Sequence, residues 1–162
     1  MNTAALPSRR DEAWRYADID AVTAAWPLPA PESIIVPAGG DFKRAIVQDE
    51  GAIQQIDMSI GKGATASLHI LNIGGAYGRI ELNVTLHEGA DFNLGAAQIG
   101  GGEQTLEIIT TVTHAEPGAT SRQMVRSVLG GTATGTYLGK VGVARGAQQA
   151  HREQDVEGVL LG

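Results

Sequence analysis

A glycine-alanine pair recurs along this chain at a nearly constant interval, each time after an apolar or alternating run. The pairs are Gly63-Ala64, Gly89-Ala90, Gly118-Ala119 and Gly146-Ala147, spaced by 26, 29 and 28 residues. The runs keep one phase. Ile56, Met58 and Ile60 alternate with Asp57 and Ser59, and Ile80, Leu82, Val84 and Leu86 with Glu81, Asn83, Thr85 and His87. Leu106, Ile108, Thr110 and Val112 alternate with Glu107, Ile109, Thr111 and Thr113, and Val141 and Val143 with Lys140, Gly142 and Ala144. An apolar period of two belongs to a strand with one buried and one outward face. A repeat of this length, with one turn motif per unit and no helical period, is the mark of a stacked array. An all-β solenoid, a β-helix, satisfies both, because each coil buries one face and stacks on its neighbours. Chance recurrence in a chain with 22 glycines is the competing reading, and the shared strand phase argues against it. Gly51-Ala52 stands 12 residues before the first pair and breaks the spacing.

Composition narrows the function classes. The net charge of −6 argues against a protein that tracks nucleic-acid phosphates. No apolar run approaches the ~18 residues of a membrane span, and no signal-peptide core opens the chain, so neither a membrane nor an exported setting is expected. A cytoplasmic protein is the expectation. Cysteine is absent, so this chain alone offers no disulfide, thiolate nucleophile or cysteine ligand for zinc or an iron–sulfur cluster.

The chain divides into three parts. Residues 1–26 read as a helical segment. Ser8 is its expected N-cap, with acids in the first turn and Trp14, Ala17 and Ala21 at helical spacing. Trp26-Pro27 ends it. Residues 27–33 read as a proline-rich linker and 34–162 as the β-helix core. The two ends of such a core are open sheet edges that something must cover. The helical segment is placed to cover one end or to pack on the flank. Val159-Leu160-Leu161-Gly162 is apolar and has no polar cap, so a partner or a further segment is expected there.

Local motifs carry little chemistry. The histidines at 69, 87, 114 and 151 form no metal-binding spacing, and no metal site is expected. His87 and His114 lie one unit apart and are candidate neighbours in a stack. His114 continues the inward phase and is expected to be buried with a hydrogen-bond partner. Gly74-Gly75-Ala76-Tyr77-Gly78 and Gly100-Gly101-Gly102 match no phosphate-binding pattern and read as turns. No serine sits in a G-x-S-x-G elbow, and no carboxylate pair stands out as acid and base. Arg122 and Arg126 read as a solvated or salt-bridged face. No catalytic residues are assigned, and the chain is not expected to be an enzyme by itself.

Two segments resemble a known family. Residues 6–19 contain Arg9-Arg10, Glu12, Trp14-Arg15-Tyr16 and Asp18-Ile19, similar to the N-terminal signature of SufD-like members of the SufB/SufD core family. Residues 114–162 contain Ser121-Arg122-Gln123, Gly135-Thr136-Tyr137-Leu138-Gly139-Lys140-Val141-Gly142-Val143, Ala147-Gln148, Gln154 and Leu160-Leu161, similar to the last β-helical stretch of that family. The departures are Asp155 to Val159 in place of an asparagine-rich run, and Tyr137 where phenylalanine is common. The resemblance implies a right-handed parallel β-helix and a scaffold role in iron–sulfur cluster assembly. It implies pairing with a SufB-like subunit and work with a SufC-like ATPase. The family's functional histidine and the SufC-binding helices lie downstream of the matched stretch, so no residue here, His151 included, takes that histidine's role. SufC binding is expected to be weak, and the chain to be a fragment or short form.

On this reading Arg10, Glu12, Trp14, Arg15, Tyr16, Ser121, Gly139, Gln148 and Gln154 are family-motif residues with structural duties, Trp14 and Tyr16 as packing anchors. Gln148, His151, Gln154 and Leu160, on the last coil, are the candidate partner face. No cofactor is expected on the chain alone; the cluster is handled by the complex, and nothing marks a flavin site. Two rivals from other classes are a carbohydrate-active β-helix enzyme, which needs acids or calcium ligands converging on one face, and a self-assembling structural solenoid.

Overall fold

The computed structural model describes residues 6–147 with their side chains and the backbone of 151–161. The described strands are β1 (Glu32–Val36), β2 (Asp41–Gln48), β3 (Ile53–Ile60), β4 (Thr65–Asn72), β5 (Tyr77–Leu86), β6 (Asp91–Gly100), β7 (Thr105–His114), β8 (Thr120–Gly130), β9 (Thr134–Val143) and β10 (His151–Leu161). Among the described residues odd strands form one five-stranded sheet in the order β1-β3-β5-β7-β9, and even strands the other, β2-β4-β6-β8-β10. Every pairing between them is parallel. The chain is therefore a β-solenoid of two strands per coil, with the core between the two sheets.

The turns explain the spacing that Gly51 interrupts. Positive-φ glycines fall in two rows: Gly39, Gly63, Gly89, Gly118 and Gly146 after odd strands, and Gly51, Gly75, Gly102 and Gly131 after even strands. Gly51 opens the second row and so is a corner in its own right. At the first row the following alanines, Ala64, Ala90, Ala119 and Ala147, are wholly buried and fill the corner. Neighbouring corners bond to each other, Gly39 N to Lys62 O and Gly63 N to Glu88 O, both at 2.9 Å.

Register stacks like on like inside. Ile34, Met58, Val84 and Val112 form one column, and Val36, Ile60 and Leu86 another. Each such buried aliphatic contributes roughly 1.5–3 kcal/mol relative to exposure. The columns turn polar along the axis: Leu86 is followed by His114, and Leu82 by Thr110. At the first coil Arg44 and Glu32, both inward in phase, close the gap between the sheets with an ion pair at 2.8 Å. An inward charge of this kind blunts an open edge.

The N-terminal part differs from the single helix expected. It makes a 3₁₀ turn, Glu12–Trp14, and a separate helix α1, Ile19–Ala25. Ser8 caps no helix; its Oγ accepts from Arg10 N at 3.2 Å in a local turn. The cap is Asp18, whose carboxylate accepts from Ala21 N at 3.1 Å. Asp18 competes with the backbone for that N–H and restarts the helix there. The segment packs on the flank, on the outer face of the odd-strand sheet, where Ala17, Val22, Trp14 and Trp26 meet Tyr77 and Ile53. The first strand begins at Glu32, inside the expected linker. Among the described residues no helix is long and apolar enough to cross a membrane.

Candidate functional site

The outer face of β5 and β7 carries a buried charged cluster that alternation alone marks as solvated. Arg79 and Glu107 are register partners, both wholly buried. Arg79 Nη1 donates to Glu107 Oε2 at 3.1 Å, and Arg79 Nη2 lies 3.5 Å from Glu81 Oε2. The Tyr77 hydroxyl donates to Glu107 Oε2. Burial, then the bond to Glu107, pushes the Tyr77 phenol well above its usual pKa. The Trp14 ring lies over the Arg79 guanidinium, 3.7 Å from its centroid, a cation–π contact that shields the pair from water. Arg79 Nε and Glu107 Oε1 have no hydrogen-bond partner among the described residues.

Of the N-terminal motif residues, Trp14 thus covers Arg79, and Glu12 reaches Lys140 on β9 at 3.1 Å. Arg10 and Arg15 are exposed, and Tyr16 is 52% exposed. The readable signal for the cluster was an Arg and a Glu on one strand phase, 28 residues apart, which is one coil.

A second set of polar groups lines the interior. Gln48, Asn72, Gln98 and Ser127 share one register column. Gln48 Nε2 donates to Asn72 Oδ1 at 3.1 Å and Asn72 Nδ2 to Gln98 Oε1 at 3.3 Å. Gln98 Nε2 donates to Thr136 O at 3.1 Å. Such an amide ladder satisfies its own donors coil by coil. Further along, Thr110 Oγ1 and Tyr137 OH both donate to Gln123 Oε1, at 2.7 and 2.8 Å. His114 is wholly buried with Nε2 2.8 Å from Ser121 Oγ. His87 faces outward, so the two histidines lie on opposite faces of the sheet. Gly139 pairs with Thr110 at the β9 edge.

β9 and β10 are the outermost described strands at this end of the solenoid. On β10, His151 pairs with Thr120, Gln154 with Gln123, and Leu160 with Leu129. Gln148 lies outside the described residues. The SUF system FeS cluster assembly SufBD core domain family matches residues 33–162, from the start of the first strand to the last coil. The chain belongs to the SufBD core family. No curated protein and no solved structure gives a match. The SufBD core match begins after the N-terminal segment, so Arg10 to Tyr16 stand outside it. Within the SufBD core of this chain the polar interior and the β9–β10 edge supply hydrogen-bonding groups and no thiolate, since the sequence has no cysteine.

Proposed function

We propose that this chain is a SufD-like scaffold subunit of a cytoplasmic Suf assembly, and that its part in cluster building is structural. The observation that carries the reading is the family match along the whole solenoid in a chain without cysteine. A member with no thiolate contributes shape and hydrogen bonds to the place where a cluster grows, while the cluster, as cargo, takes its thiolates from the partner. The outermost strands β9 and β10 offer backbone groups for pairing with a SufB-like subunit. The SufC-like ATPase joins through that pair.

Co-purification tests it. The full chain is co-expressed with tagged SufB-like and SufC-like subunits. It is expected to elute with the SufB-like subunit, and to elute with the SufC-like subunit only when the SufB-like one is present. Gln154→Lys on β10 is expected to weaken the association, whereas Lys43→Gln on β2, at the opposite edge, leaves it intact. Absence of the chain from the SufB-like eluate would overturn the proposal.

A further inference from the structure

Ser59, His87 and Glu116 come from three successive coils, 28 and 29 residues apart. Ser59 stands outward on β3, in register with Thr85 of β5. Its Oγ is 3.1 Å from His87 Nε2, and His87 Nδ1 is 2.8 Å from Glu116 Oε1. The imidazole therefore uses a different nitrogen for each neighbour. A carboxylate on Nδ1 fixes the tautomer with its proton there, which leaves the Nε2 lone pair for the serine hydroxyl. The hydrogen bond to His87 holds the Glu116 carboxyl below its usual pKa, so Glu116 is an acceptor. Hydroxyl, base and orienting carboxylate in bonding sequence are the parts of an activated nucleophile.

Ser59 also borders a surface groove, shared with Ser33, Ile35, Asp57, Asn83 and Thr85. Ile35 is 76% exposed and gives the groove an apolar wall, suited to a short acyl chain. Asn83 Nδ2, bonded to Asp57 Oδ1 at 3.1 Å, and the Ser33 and Thr85 hydroxyls are side-chain donors lining the groove for a developing oxyanion. Asp57 disfavours an anionic substrate.

We propose that Ser59, His87 and Glu116 form an acyl-transfer site for uncharged, short-chain carboxylic esters, separate from any part in cluster assembly. Ser59 Oγ adds to the ester carbonyl carbon while its proton passes to His87 Nε2. The carbon–oxygen bond to the alcohol breaks, and the alcohol leaves with that proton. Water then loses a proton to His87 and attacks the acyl-serine carbonyl; the bond to Ser59 Oγ breaks, His87 returns the proton to that oxygen, and the carboxylic acid leaves. Ser59 and His87 are the catalytic residues; Glu116 is a positioning residue acting through His87. No local motif announces the site, because its members are neighbours only once the coils stack.

The test uses the full chain with p-nitrophenyl acetate and butyrate, and a fluorophosphonate read by intact mass and peptide mapping. One adduct per chain on the Ser59 peptide is expected, absent in Ser59→Ala. His87→Gln is expected to slow ester turnover by about 10²-fold or more and to flatten its pH profile. Glu116→Gln is expected to slow turnover and to move the midpoint of the same profile while keeping its shape, and Glu116→Asp to restore both. Thermal melts of each variant separate lost chemistry from lost fold. Turnover by wild type no faster than by a folded Ser59→Ala, or an adduct mapped elsewhere, would overturn the proposal and leave the array as a hydrogen-bond chain tying three coils.

Discussion

Two glycines from different parts of the turn system separate two kinds of constraint. Gly63 has a φ of +64° and open space where a Cβ would stand, so Gly63→Ala meets only the left-handed penalty of about 1–2 kcal/mol. Gly74 has an ordinary φ, but a Cβ there would lie 1.6 Å from Asp49 O on the neighbouring coil. Gly74→Ala must shift backbone and is expected to cost more than about 3 kcal/mol in urea unfolding, or to prevent folding. Equal costs would contradict the close coil contact. Tyrosines give a pH test. Burial raises both Tyr77 and Tyr137, so each phenol is neutral in the fold where the unfolded chain ionises it. A raised value means stability that is present below the unfolded tyrosine pKa of about 10 and is lost as pH rises towards the folded one. Tyr77 and Tyr137 are therefore expected to ionise above the usual tyrosine range in an ultraviolet titration while the chain stays folded, and Tyr77→Phe to be less sensitive to alkali than wild type. Ionisation of Tyr77 and Tyr137 in the folded chain near the usual tyrosine pKa of about 10 would contradict the burial.

At the scale of elements, the N-terminal segment and β5–β7 depend on a pair of charges that water does not reach. Glu107→Gln leaves the buried Arg79 with only the partly exposed, more distant Glu81 as counter-charge and is expected to cost about 3 kcal/mol. The double change Arg79→Met with Glu107→Leu removes both charges and is expected to recover most of that loss in the same unfolding assay. A double variant as unstable as the single one would show that the covering by Trp14, and not the stranded charge, sets the cost. The odd strands were legible in sequence because Ile56 to Ile60, Ile80 to Leu86 and Leu106 to Val112 keep aliphatic residues on the inward phase. The even strands were not, because their inward phase carries Gln48, Asn72 and Gln98, which pair with one another a coil apart, and Ser121 and Gln123, which bond His114, Thr110 and Tyr137 of the facing sheet. The same non-locality hid Arg79 and Glu107: an outward charge looks solvated until a distant segment lies on it. Asp18 does not stand out as a cap in the sequence because Ser8 meets the same local pattern ten residues earlier.

At the scale of the whole molecule, the period of the chain does most of the work. It brings Gln48 to Asn72, Arg79 to Glu107 and Ser59 to His87 without any local motif. The candidate sites rest on strands that each pair in parallel with the next-but-one strand. Because the chain has no cysteine, paired cysteines test this cleanly. Asp57 and Asn83 are register partners on the outer face of β3 and β5, as are Ser67 and Asn93 on β4 and β6. The doubly substituted chains Asp57→Cys/Asn83→Cys and Ser67→Cys/Asn93→Cys are each expected to oxidise to one intramolecular disulfide, whereas Ser67→Cys/Ala97→Cys, four residues out of register, stays reduced. Failure of both in-register pairs to close, with the chain folded, would contradict the stacked solenoid.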